Sequence, residues 1–181
     1  RCLPIAAMTF SIIRLLSLSI VALGLFAGLA KPSAEDWTRW RGPDLNGVSS
    51  ETDWLVKWPD DGPKRLWKAK VGTGFSSLSV ANGKVYTLGN SGRGKGEEKD
   101  TVFCFDAATG KAIWSHAYEA KLDPKYYAGG PSGTPTVDGD RVFTLGKRGQ
   151  LICFGAADGH VVWQKNIATE TKGKRPTWGF A

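Results

Sequence analysis

Histidine, cysteine and methionine are scarce in this chain, with two His, three Cys and one Met among 181 residues. Neither His116 nor His160 has a Cys or His neighbour at zinc-ligand spacing, so no metal site is expected. No strand–helix–strand alternation and no long amphipathic helical period is present to support a competing fold. A phosphate loop is missing too: Gly92-Arg93-Gly94-Lys95-Gly96 lacks the G-x-x-x-x-G-K-S/T spacing and a following helix. The acidic pairs Asp60-Asp61 and Glu97-Glu98 lie in loops rich in Gly or Pro, have no partner base, and read as solvated loop. No catalytic constellation is visible, and no catalytic or cofactor-binding residue is assigned.

Charge of one sign is not concentrated. Lys and Arg number 24 against 17 Asp and Glu, a net charge of +7, but acids are interspersed throughout, and only Lys172 to Arg175 forms a local basic cluster. A nucleic-acid partner is therefore not expected. A hydrophobic content of 41% and 23 scattered glycines exclude a disordered chain and a collagen-like one.

Residues 1–34 read as upstream residues followed by a secretory signal peptide. Met8 is the expected start, Arg14 the positive residue, and Leu15 to Ala30 the apolar run. That run of 16 residues is shorter than the roughly 20 needed to span a bilayer, so no stable membrane span is expected after cleavage. Gly28-Leu29-Ala30 and Pro32-Ser33-Ala34 are the candidate cleavage sites, and no Cys follows that would carry a lipid. Cleavage after Ala30 removes Arg1 and Arg14, leaving 22 cations against 17 acids, a charge of +5. An exported chain, periplasmic or extracellular, permits a disulfide between Cys104 and Cys153, Cys2 lying in the leader.

The remainder repeats. Val80 to Gly89 (VANGKVYTLG) returns as Val137 to Gly146 (VDGDRVFTLG) at an offset of 57, and Phe103 to Trp114 (FCFDAATGKAIW) returns as Ile152 to Trp163 (ICFGAADGHVVW) at an offset of 49. The difference is an insertion confined to Asn90–Thr101, as a modular unit tolerates in a loop. Each unit predicts four short strands. In the first these are Ser76–Val80, Lys84–Leu88, Val102–Asp106 and Ala112–Tyr118, with turns at Asn82-Gly83 and Thr109-Gly110. Gly139-Asp140 and Asp158-Gly159 take the same places in the second. Four antiparallel strands at a period near 50 predict an all-β fold, a β-propeller with about two blades in this chain. A sandwich would not repeat so closely. Cys104 and Cys153 then occupy one equivalent small-residue position on neighbouring sheets, too far apart to bridge.

Cys104, Asp106, Thr109, Gly110, Lys111 and Trp114 fit A-x-D-x-x-T-G-K-x-x-W with Cys in the Ala place. This resembles the tryptophan-docking motif of the PQQ-like repeat family, within the quinoprotein alcohol dehydrogenase-like superfamily, over roughly residues 67–181. The resemblance implies that Cys104, Asp106, Gly110 and Trp114, and Cys153, Gly159 and Trp163 in the second copy, take part in blade-to-blade docking. The small third-strand residue leaves room there for a neighbouring indole. The second copy departs from the motif at Gly155, Asp158 and His160, which puts the polar part of its docking site in question. The boundaries follow: a Trp-rich lead-in over 35–66, a closing strand of the last blade over 67–74, blade one over 75–121, blade two over 129–170, and the start of a third over 171–181. Trp67 stands in the closing strand where Trp114 and Trp163 stand in the blades. The opening Trp37-Thr38-Arg39-Trp40-Arg41-Gly42-Pro43 is similar to that of exported PQQ-like repeat proteins, and Thr177 to Ala181 resembles the blade entrance at Thr73 to Ser76. Tyr126-Tyr127 either line a central face or pack at a blade entrance.

Two functions are compatible with this resemblance. One is an exported binding or scaffold module that takes a protein partner or small-molecule ligand on its propeller face. The other is a PQQ- and calcium-dependent quinoprotein dehydrogenase oxidising alcohols or sugars, whose family holds PQQ over the central channel beside oxygen-ligated Ca²⁺. No cofactor residue of that family maps onto this chain by motif, and a repeat marks the fold rather than an activity, so the non-enzymatic reading is preferred.

Overall fold

A computed structural model describes residues 34–52, 55–92 and 98–180. The expected leader apart from Ala34, with Cys2 and Met8, lies outside the described residues, as do Trp54, Glu97 and the glycine-rich stretch beyond Gly92. Among the described residues eight strands and one short helix follow in order: β1 (Ser79–Ala81), β2 (Lys84–Asn90), β3 (Lys99–Asp106), β4 (Ala112–Glu119), β5 (Thr136–Asp138), β6 (Arg141–Leu145), β7 (Gln150–Gly155), β8 (Val161–Asn166) and α1 (Ile167–Glu170). They make two four-stranded antiparallel sheets, β1-β2-β3-β4 and β5-β6-β7-β8, each a simple meander. The all-β propeller-blade reading therefore holds.

The glycine turns set these meanders. Asn82 and Gly83 adopt φ of 50° and 70°, the left-handed pair that a two-residue hairpin needs. Registers repeat between sheets: Tyr86 faces Cys104 and Cys104 faces Trp114, as Phe143 faces Cys153 and Cys153 faces Trp163. A bulge follows at the same place in both copies, between Cys104 and Phe105 and between Cys153 and Phe154. The first strand is shorter than expected. Ser76 stays outside the ladder because its hydroxyl accepts from the Leu88 amide (3.3 Å), doing the work of a main-chain partner. β3 in turn starts earlier, since Asn90 pairs with Asp100 and zips the insertion shut from its base.

The core lies between the sheets. Ala81, Tyr86, Leu88, Val102, Cys104 and Trp114 of the first pack against Val137, Val142, Ile152 and Phe154 of the second. Alternation along each strand sends these residues to the shared seam, and each large side chain so buried contributes on the order of 1.5–3 kcal/mol. Phe103 and Phe105 lie stacked (5.7 Å) on the opposite face of the first sheet.

The lead-in is tied to both sheets. Trp37 exchanges both main-chain hydrogen bonds with Val80 (2.8 and 2.9 Å), and the Thr38 carbonyl accepts from the Val137 amide (2.8 Å). The Asp36 carboxylate accepts from the Asn82 amide (3.1 Å). Residues 67–74 join no strand ladder among the described residues. They are held through Trp67 and through a bridge between Thr73 and Asn90.

Candidate functional site: the seam between repeats

The tryptophans that end each repeat unit make the same contact twice. Trp67 donates its indole N–H to the Ala107 carbonyl (2.8 Å), and Trp114 donates its own to the Ala156 carbonyl (3.2 Å). In each case the ring lies flat on a turn glycine. A Cβ on Gly110 would stand 2.5 Å from the Trp67 ring, and one on Gly159 would stand 2.4 Å from Trp114. Both glycines have left-handed φ, 70° and 73°, so backbone conformation and ring contact alike call for glycine. Aromatic neighbours complete each seat: Phe105 beside Trp67, and Tyr86 and Phe154 beside Trp114.

Cys104 lies opposite Trp114 of its own sheet, whereas the indole arriving from the preceding unit, Trp67, settles on the turn at Gly110. Both Cys104 and Cys153 are buried and free. Burial pushes the Cys104 thiol up to about 11 and raises Cys153 as well.

The polar departures in the second copy leave the indole hydrogen bond in place, because its acceptor is a main-chain carbonyl. In the first turn Asp106 accepts from the Thr109 amide (2.8 Å) and hydroxyl (2.6 Å), which lowers its pKa. In the second, His160 folds over Gly155 and meets the Asp158 carboxylate at 2.6 Å, lowering that acid. The turn-capping carboxylate has moved along the chain from the Asp106 place to that of Thr109. Trp163 is more open, at 37% exposure against 8% for Trp114, and its nearest aromatic neighbour is Phe143 of its own sheet.

Sequence reasoning missed the polar end of the seam. Asn90 donates to the Asp100 carboxylate (2.8 Å) and the Ala120 carbonyl (3.0 Å), all buried, and loss of solvent raises the Asp100 pKa. Buried Lys147 donates to the Tyr127 hydroxyl (2.5 Å). The one available signal was that the repeat breaks here, with Lys147 standing where the first unit has Asn90. Glu98 is no idle loop acid: its carboxylate accepts from the Leu122 amide (2.6 Å). Tyr126 and Tyr127 pack at a blade entrance, Tyr127 edge-on to Phe75 (5.0 Å) and both tyrosines against Trp178. His116 packs on Phe154 (5.1 Å), and burial lowers its pKa.

A cleft of about 540 Å³ opens against the second sheet, walled by Trp40, Phe75, Ser132, Thr134, Thr136 and Phe143. No charged side chain lines it, and no group of three or more His, Cys, Asp or Glu among the described residues is arranged for a metal ion. A carboxylate-bearing quinone with Ca²⁺ does not fit such a lining, and no catalytic step is derived through that pair.

Repeated four-stranded sheets, each receiving the tryptophan of the unit before it, define a β-propeller repeat protein. Residues 98–178 match the family model described as outer membrane protein assembly factor BamB, and that stretch carries the PQQ-like propeller repeat. Among solved structures it is similar to a europium-containing methanol dehydrogenase, at 26% identity and a TM-score of 0.35, over 52% of this chain and 15% of that one. It is also similar to BamB from Moraxella catarrhalis, at 16% identity and a TM-score of 0.29, over 52% of this chain and 33% of that one. The chain thus spans between about a seventh and a third of the length of these structures. No curated protein matches it.

Proposed function

We propose that this chain belongs to an exported propeller that acts as a binding or scaffold module. The supporting observation is the repeated indole-on-glycine contact, which fixes each unit to the next and leaves loop aromatics exposed at the blade entrance. Tyr126 is 85% exposed and Trp178 55%, beside Lys125 and Arg175. Exposed Tyr, Trp and Arg on a rigid frame are the residue types that anchor protein interfaces. Trp163, half open where Trp114 is closed, favours a further blade on the outer face of the second sheet. Residues 67–74 fit the closing strand of the last blade, since Trp67 already sits on the first.

Export is tested by expressing the chain with its leader and sequencing the N-terminus of the periplasmic product. Lys31 or Glu35 is expected there, and an intact leader refutes export. The function is tested by placing a photo-crosslinking residue at 126 or 178 in the full protein. One discrete adduct is expected at each position and none from an exposed control at Lys111. Quinone- and Ca²⁺-dependent dye reduction by the reconstituted protein would instead establish the dehydrogenase reading.

A further inference from the structure

The basic cluster Lys172 to Arg175 does not stand alone in the fold. Arg175 Nη1 meets the Asp123 carboxylate at 2.5 Å, and Lys125 Nζ donates to the Thr177 carbonyl at 3.3 Å. The loop after α1 is thereby tied to the loop between β4 and β5. Trp178 packs against Tyr126 (5.5 Å) and Tyr127 (6.2 Å) in the same place. Both loops follow the last strand of a unit, so they lie at one end of the sheets. Units dock through their sheet faces, and added blades would extend this end rather than cover it. Tyr126, 85% exposed, and Trp178, 55% exposed, stand in the open on a backbone braced between two units.

The charges around this aromatic pair are unbalanced. Residues 122–127 and 171–178 with the adjoining Arg148 carry five cations, Lys125, Arg148, Lys172, Lys174 and Arg175, and one acid, Asp123. Even with Lys121, Glu98 and Glu119 of the neighbouring hollow, cations outnumber acids six to three, against 24 to 17 in the whole chain. Asp123 is already taken: the hydrogen bond from Arg175, then the charges of Arg175, Arg148 and Lys125, hold its carboxyl below the usual range. That seat shows which group the surface accepts, and Lys125, Lys172 and Lys174 remain exposed beside it. A strand of nucleic acid fits less well. The Tyr126 and Trp178 rings are tilted by 52°, leaving no parallel slot for a base, and acids interrupt any longer track for phosphates. Aromatic anchors ringed by charge are instead the pattern of a protein interface. We propose that this end of the paired sheets docks an acidic segment of a partner protein. An apolar side chain of that segment meets Tyr126 and Trp178, and flanking carboxylates meet Lys125, Lys172 and Lys174. This docking rests on the binding-module reading and adds the partner's chemistry to it.

The test is fluorescence anisotropy on the full protein with the labelled peptide Asp-Glu-Phe-Asp-Glu and its amide counterpart Asn-Gln-Phe-Asn-Gln. Unlabelled oligothymidylate and phosphatidylglycerol vesicles serve as competitors. The acidic peptide is expected to bind and the amide one not, with affinity falling roughly tenfold between about 50 and about 300 mM salt. Lys125→Glu and Lys174→Glu should each weaken binding roughly tenfold, and Tyr126→Ala by a similar factor. Lys111→Glu, the same charge change on an exposed turn of the first sheet, should leave it unchanged. Circular dichroism confirms that each variant is folded. Acidic docking is overturned if the acidic peptide does not bind, if the two peptides bind alike, or if Lys111→Glu weakens binding as much as Lys125→Glu. It is overturned too if either competitor binds the protein more tightly than the peptide does. A photo-adduct that persists at position 126 without peptide binding would remove the acidic chemistry alone and leave the binding-module reading in place.

Discussion

Replacing Gly159 by alanine should cost far more than the same change at Gly83, although both residues have nearly the same φ, 73° and 70°. Any L-residue pays about 1 kcal/mol for left-handed backbone at either position. Beyond that the two sites differ completely. A Cβ at Gly83 meets nothing within 4 Å, whereas one at Gly159 meets Cδ2, Cε3 and Cγ of Trp114 at 2.4 to 2.9 Å. Those atoms lie near the root of the side chain, so no small rotation relieves the clash and the indole must leave its seat. Leaving it forfeits the hydrogen bond to Ala156, worth about 1 kcal/mol, and part of the burial of a large aromatic, about 2 kcal/mol. The expected loss is therefore about 4 kcal/mol for Gly159→Ala against about 1 kcal/mol for Gly83→Ala. The larger figure is a large share of the 5–15 kcal/mol typical of a domain. Urea unfolding of the two variants and the parent, followed by far-UV circular dichroism, reads the difference directly. Equal losses in the two variants would refute the idea that the indole seat holds the sheets together.

Three further outcomes follow from the seam. Burial lowers the His116 pKa, so the folded state favours the neutral ring; stability should fall as pH drops through 6.5, and His116→Phe should flatten that slope in a Tm series from pH 7.5 to 5. Asp100 runs the other way: its raised pKa means that the charged form opposes folding, so Asp100→Asn should stabilise at pH 7, with the gain shrinking as acid protonates the parent. A Tm that drops at pH 7 in this variant would show that the hydrogen bond from Asn90, with Lys147 behind it, outweighs the burial. Cys104 and Cys153, both buried with raised pKa values, should resist a thiol reagent at pH 8 until urea unfolds the chain. Reaction in the native state would place them elsewhere.

What could be read from the sequence was whatever repeats. Asn82-Gly83 and Thr109-Gly110 announce their hairpins because only certain residues tolerate those turns, and two offsets sufficed to align the sheets. Trp67, Trp114 and Trp163 were recognisable as equivalent before any contact was seen. Two features were hidden. The role of Cys104 turned on which side of the sheet the incoming indole approaches, a matter of how units pack rather than of pattern. The polar cluster of Asn90, Asp100 and Lys147 was hidden because its members lie at positions where the repeat fails, and residues that break a period leave no second copy to compare. The shortened first strand escaped for a local reason, since Ser76 can replace a main-chain partner with its hydroxyl and nothing in its neighbours signals this.

The attachment of the lead-in to both sheets sets a timetable for assembly. Thr38 is separated by 99 residues from Val137, whose amide it receives. At about 5–20 residues per second of synthesis, Thr38 exists for roughly 5 to 20 s before its partner does. Trp37 meets Val80 much sooner, so the first sheet can be pinned at one strand while its neighbour is still unmade. Contacts of such long range slow folding and leave strand edges open in the interval. In a chain built this way the lead-in holds its place on the first sheet for that whole interval, with the hydrogen-bond acceptor meant for the second sheet still unpaired.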